Sequence, residues 1–254
     1  MADSYGPLNY PSFPQPEDPS VKLWGYMDLP KLIALLSDRR LYFPRLDCLG
    51  DPYEGSSPHV MAAGRDAALR SVGVAETQIH AIRERRSKAR YTNFVSCWRL
   101  GEDESEAMWR LCCPGGQGVA IQTTYAKLAE WVVNLQTPNW QVYMGCVNYI
   151  DYSTDQFDSS NSFNYAMHKH RAFEHEREVR IICWDLQAAQ RPEKDRLVGI
   201  PLDFPNEEIV HEVYVHPYAP EWFSKVVASV LRAFAPSLAE RVRWSQMRAH
   251  PAYY

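Results

Sequence analysis

Apolar and polar residues alternate over short runs along much of the chain, and helical spacing fills the stretches between. VKLWGYM (21–27), LYFPRL (41–46), TNFVSCW (92–98), GVAIQTT (118–124) and WQVYMGCVNYID (140–151) read as strands. So do EVRIICWD (178–185), RLVGIPLDF (196–204) and IVHEVYVHP (209–217). KLIALLSDRR predicts a helix, with Asp28 as its cap and Pro30 in its first turn. Residues 58–89 predict two helices broken near Gly73. Residues 102–113, the run YAKLAEWVVNL, residues 158–174 and residues 219–235 predict further helices. CLGDPYEGS (48–56) has the composition of a loop.

Strands and helices are mixed without a regular βαβ repeat. The expectation is an α+β protein: one domain over 21–254, with a mixed sheet of about six to eight strands and flanking helices. Five prolines in residues 1–20 predict a flexible, Pro-rich arm ahead of it.

At 172–182, AFEHEREVRII, charge runs into the core pattern. Val179 and Ile181 share one face of a strand. Glu178 and Arg180 share the other, joined by Glu176 if the strand begins that early. Two carboxylates at i and i+2 beside an arginine push their pKa values apart, which suits acid–base work. The same spacing also suits a structural Glu–Arg pair on a charged edge face. Ser96 alternates with Val95 and Cys97 near a strand end, and no G-x-S-x-G elbow surrounds it. Trp98 and Trp109 offer aromatic walls, or core packing. Asp51 and Glu54 lie in a loop, where they cap a helix or bind a ligand. His168, His170 and His175 do not share a helical face, so His168–Arg171 reads as a solvated basic turn and no metal is expected. The GGQG turn at 115–118 lacks both a Walker lysine and G-x-G-x-x-G.

Composition narrows the class. A net charge of −4 gives no global basic footprint for nucleic acid. RERRSKAR (83–90) is nevertheless a local basic run, which usually marks a solvated helix face. The six cysteines form no C-x-x-C pair, which suits reduced thiols. No apolar run reaches the ~20 residues of a membrane helix, and residues 1–20 have no signal-peptide pattern. The expectation is a cytoplasmic protein with no membrane partner.

Asp51-Pro52-Tyr53-Glu54, Met108-Trp109, Gly118-Val119-Ala120-Ile121, and Lys169, Phe173, Glu176, Glu178 and Arg180 come in a familiar order. The chain resembles the bacterial domain-of-unknown-function family 2971 over roughly residues 21–225. Gly50 departs from that pattern where the family carries Asn, and Cys112 or Cys113 falls near the place of a tyrosine. A weaker similarity is to ADP-ribosyltransferases of the arginine–serine–glutamate type, carried by Val95-Ser96 and Glu176-Arg177-Glu178-Val179. That resemblance implies NAD as co-substrate, Glu178 as the catalytic glutamate, Glu176 on the acceptor side and Ser96 beside the nicotinamide ribose. The first strand supplies only Lys22 where the type has arginine, so the resemblance moves the pyrophosphate cation to Arg40 or Arg45.

These readings predict a cleft holding Glu176, Glu178 and Arg180, walled by Ser96, Trp98, Trp109, Asp51 and Glu54, with Arg45 nearby. The implied ligand is nucleotide-like, and the implied acceptor is a protein or nucleic acid, as in a bacterial toxin or phage-defence enzyme. The alternatives are a non-enzymatic protein-binding module and a defence component acting on nucleic acid through RERRSKAR.

Overall fold

Alternation along Asn93–Leu100 sets the layout. Phe94, Ser96 and Trp98 leave on one face of the sheet, and Val95, Cys97 and Arg99 on the other. The first face meets the main core. The second carries two smaller apolar clusters and the cleft described below. The computed structural model describes residues 6–248 apart from 52, 136, 138, 160, 186, 189 and 190. Side chains 85, 88, 89 and 194 are also outside the description.

The elements run β1 (Lys22–Asp28), α1 (Leu29–Asp38), β2 (Arg40–Pro44), α2 (His59–Ser71), α3 (Glu76–Ser87), β3 (Asn93–Leu100) and α4 (Glu106–Cys112). Then come β4 (Gly118–Thr124), α5 (Tyr125–Asn134), β5 (Trp140–Cys146), β6 (Asn148–Ile150), α6 (Asn164–Met167), β7 (His168–His170) and β8 (Glu178–Asp185). The last are β9 (Gly199–Asp203), α7 (Asn206–Ile209), β10 (Glu212–Val215), α8 (Glu221–Phe234), α9 (Pro236–Ala239) and β11 (Val242–Trp244). The fold is α+β. Seven strands form one mixed sheet in the order β11-β10-β4-β1-β3-β8-β5, and β2-β9 and β6-β7 form two small ribbons. Among the described residues, the only parallel pair in the large sheet is β10 with β11.

α1 begins as its sequence predicts: the Asp28 carboxylate accepts from the Lys31 amide at 2.9 Å, with Pro30 in the first turn. Its buried face, Leu32, Leu35 and Leu36, joins α5 and α8 over the main core. Leu23, Ile121, Val179, Ile181 and Val213 meet them from the sheet, so one strand face and three helix stripes close a single apolar layer.

Two expectations change. The proline-rich stretch is docked from Gly6 onward rather than free. Phe13 is buried, the Pro7 carbonyl accepts from the Met144 amide and the Pro14 carbonyl from the Cys146 amide. The segment therefore satisfies edge strand β5, whose open amides would otherwise face water. Gly145 permits the approach, since a Cβ there would sit 2.7 Å from the Phe13 backbone.

The helix expected over 158–174 is also absent. Among its described residues, that stretch holds only the short α6, then β7, then a 3-10 turn over Arg171–Glu176. Pairing of β7 with β6 replaces helical hydrogen bonds there and turns Lys169 inward.

Candidate functional site

β8 delivers two charges to the second face of the sheet. Glu178 and Arg180 are i and i+2 on one strand, opposite Arg99 and Cys97 of β3. Arg180 has no exposed surface, and its charge is satisfied completely. Its Nε donates to Glu178 Oε2 at 2.7 Å. Its two terminal nitrogens donate to Glu54 Oε2 at 2.9 Å and Oε1 at 2.6 Å, and one of them also reaches the Ala166 carbonyl at 2.7 Å. The fork-on-fork pair with Glu54 is the geometry that makes an arginine–carboxylate contact strong.

A second cation enters from β7. Lys169 Nζ donates to Glu176 Oε2 at 2.6 Å and to Glu178 Oε1 at 2.7 Å, and lies 3.4 Å from Glu54 Oε1. Three carboxylates and two cations therefore form one buried cluster. Arg177 lies between the two glutamates of the Glu-x-Glu run with φ 43°, a left-handed conformation that ends the 3-10 turn and starts β8. Glu176 thus reaches the cluster from the turn, not as part of the strand.

The environments drive the two glutamates apart. Burial, together with the hydrogen bond and charge of Glu178, pushes Glu176 up to about 7 despite Lys169. Burial works against ionisation of Glu178 too, but the Arg180 charge, the Glu176 hydrogen bond and Lys169 hold it well below the usual carboxylate range. Lys169 is likewise desolvated, and the adjacent glutamates keep its pKa above the ordinary lysine value. Near neutrality the cluster therefore holds one permanently ionised glutamate next to one that can give or take a proton.

The cluster floors a cleft of about 450 Å³. Trp24 and Tyr26 of β1, Met108 and Leu111 of α4, and Phe173 of the 3-10 turn supply apolar walls. Lys31, Arg99 and Asp51 stand among the remaining lining groups. Phe173 lies beneath the Lys169 ammonium at 4.7 Å from ring centroid to nitrogen. The Tyr26 hydroxyl accepts from the Ser105 amide at 2.8 Å, and burial raises its pKa to about 12, so it stays a neutral phenol. Cys97 opens to the cleft, but the protein packed around it and the Glu178 charge hold its thiol well above the ordinary value. A thiol kept protonated is a poor nucleophile.

Of the residues singled out from the sequence, Glu176, Glu178, Arg180, Glu54 and Asp51 meet in this cleft, whereas Trp98 borders it and turns its ring into the main core. Ser96 is not among them. It is buried on the opposite face, where its hydroxyl accepts from Trp98 Nε1 at 3.1 Å. Trp109 stands behind the wall, edge-on to Tyr26 at 5.0 Å, with its ring nitrogen donating to Glu104 at 2.9 Å. Arg45 is committed elsewhere, to Asp47 and to the Leu197 carbonyl, and lies over the Tyr91 ring. Lys169 is the cluster residue that the residue patterns alone miss: the expected solvated basic turn is in fact a buried ammonium. Its position in the family-like K-x-x-x-F-x-x-E-x-E-x-R run was the signal. Among the described residues, no group of three or more His, Cys, Asp or Glu is arranged to hold a metal, and no helix is long and apolar enough to cross a membrane.

No protein-family model matches the chain, and no curated protein matches it. Among solved structures, the chain is similar to that of Thermus sp. 2.9 DarT in complex with ADP-ribosylated ssDNA. The match has 10% sequence identity, covers 92% of this chain and 97% of that one, and has a TM-score of 0.40. A likeness at that level transfers neither residues nor activity.

Proposed function

We propose that the cleft binds a nucleotide of the NAD class and cleaves the bond between its ribose and nicotinamide, passing ADP-ribose to an acceptor. One observation carries this reading: Glu176 and Glu178 share a lysine at the floor of an aromatic-walled cleft, one ionised and the other titrating near neutrality. Cleavage of an N-glycosidic bond builds positive charge on the ribose, and nicotinamide leaves with the bonding electron pair. A fixed carboxylate at that point stabilises the cationic transition state. Glu178 fits this part, because Lys169 and Arg180 hold it ionised at the floor of the cleft. The acceptor group, or water, bonds to the ribose carbon as nicotinamide departs, and its proton passes to ionised Glu176, so loss of Glu176 slows release itself. A base that titrates near the working pH is best suited to that step. Tyr26 and Phe173 are the faces for the flat ring.

Arg180 and Glu54 serve as scaffold in this scheme, since their donors and acceptors are used on each other. The same observation favours a second reading, a binding module in which the cluster only braces the sheet. The resemblance to family 2971, which no family model supports, favours neither over the other.

Nicotinamide release from NAD, followed by mass spectrometry, separates them. Wild type should release it, and Glu176→Gln should slow release by about 10²–10⁴-fold, removing the pH dependence near 7 while keeping the fold. Glu178→Gln should stop it. No release from wild type, or equal release from Glu176→Gln, sinks the enzymatic reading and leaves the module.

A further inference from the structure

The loop from Leu49 to Ser56 has two sides. One side gives Leu49, Asp51 and Glu54 to the cleft. The other is packed on the end of the α2–α3 hairpin: a Cβ at Gly55, whose φ is +70°, would fall 2.7 Å from Arg90 Cγ. The hairpin segment is unlike the rest of the chain in charge. Residues 58–90 hold seven Arg or Lys and three Asp or Glu, a net of +4. The whole chain carries −4, so the remainder carries −8.

Neutralisation within the segment is partial. Arg70 is paired with Glu76, and Arg83 with Asp66. Arg86 and Arg90 are half-buried and have no carboxylate partner among the described residues. Arg196 adds to the same end, lying over the Tyr91 ring at 4.3 Å. Between this basic end and the cleft, Tyr53 is 56% exposed and stacks on Tyr152 at 6.0 Å and 25°.

The geometry points to a single-stranded nucleic acid as the acceptor, docked on the α2–α3 hairpin with a base carried over Tyr53 toward the cleft. Guanidinium forks match phosphate oxygens, and an exposed aromatic face stacks on any base. A duplex keeps its bases out of reach of a concave site, so an unpaired strand is the form that fits. The assignment as acceptor rests on the enzymatic reading above. The binding surface does not.

The test is fluorescence anisotropy of the full chain, without NAD, against labelled single strands of DNA and of RNA, the matching duplex, and phosphatidylserine vesicles. Wild type should bind a single strand more tightly than the duplex, and binding should fall steeply between about 50 and 200 mM salt. Arg86→Gln combined with Arg90→Gln should weaken binding about tenfold and reduce the slope of log K against log salt by about two. Tyr53→Ser, which removes no charge from an exposed site, should weaken it about fivefold. Arg243→Gln, on the exposed edge strand β11, is the control and should bind as wild type. Preference for DNA or for RNA identifies the strand, and either supports the surface. Absence of binding at low salt, equal binding by the arginine variant, tighter binding to the duplex, or binding to vesicles alone overturns it. Because no NAD is present, failure of the NAD chemistry leaves this result untouched, and the converse also holds.

Discussion

Glu178 and Glu176 are two residues apart and have opposite protonation behaviour, which follows from what each touches. Glu178 has a cation on each oxygen, whereas Glu176 has only the shared lysine and an ionised neighbour. Their contributions to stability run in opposite directions. Glu176 titrates at about 7 when folded and near 4.5 as an ordinary glutamate, so the folded state holds the extra proton between those values. Its stabilising contribution is complete below about 4.5 and is lost as pH rises through 7. That of Glu178, whose folded pKa is depressed, is present at neutral pH and is lost in acid. Replacing Glu176 by Gln removes the first effect alone. From about pH 5 to about pH 8, wild type should lose roughly 2 kcal/mol relative to Glu176→Gln, about 4–8 °C in Tm. Melting curves of the two proteins that shift in parallel across that range would refute the assignment. At this scale the alternation E-x-E-V-R made the glutamates and Arg180 legible. It did not reveal that Arg177 turns left-handed, nor which of Ser96 and Cys97 faces the cleft. Alternation says that neighbours part, and only the register of β3 on β8 says which way.

Strands were legible because their faces differ: one is apolar apart from single hydroxyls such as Ser96 and Thr123, the other polar only near the cleft. The short elements between β6 and β8 were not. NYAMHKHRAFE carries good helix formers and helical spacing. In the fold, pairing of β7 with β6 and burial of Lys169 among three carboxylates outweigh a local preference worth a fraction of a kcal/mol per residue. The proline-rich stretch misleads in the same way. Prolines lack amide donors but keep their carbonyls, and Pro7 and Pro14 use them to satisfy edge amides of β5. Gln15 fastens the segment further, donating to the Met144 carbonyl at 2.9 Å and accepting from the Tyr125 hydroxyl. The whole arrangement depends on the absence of a side chain at Gly145. Gly145→Ala should cost about 1–3 kcal/mol by overpacking. It should also expose the segment around Phe13 to limited proteolysis while the rest of the domain stays protected. A variant cleaved no faster than wild type, with an unchanged melting temperature, would show that Gly145 is not what seats this segment.

For the whole molecule, the main core and the cleft use opposite faces of one sheet, so the apolar layer that sets stability contains none of the ionised groups of the cleft. The cleft lies where that second face is left open between two aromatic-rich clusters, one around Trp109 and Tyr214 and the other around Phe13 and Phe163. Its groups come from β1, α1, the 49–56 loop, β3, α4, β7, the 3-10 turn and β8, segments spread from residue 24 to residue 180. A site gathered from so much of the chain exists only in the folded state, and a ligand bound there adds its binding free energy to global stability. If NAD is that ligand, a concentration one hundred times its Kd should raise stability by about 2.7 kcal/mol, or roughly 5–11 °C in Tm for a chain of this size. Tyr26→Ala, which removes an aromatic wall and leaves the charged floor, should weaken the shift, whereas Arg243→Gln on β11 should keep it in full. Glu178→Gln is the decisive partner in this measurement. If NAD still raises its melting temperature while nicotinamide is no longer released, binding and chemistry are separated at that carboxylate. Equal shifts in wild type and Tyr26→Ala would place the nucleotide outside the cleft.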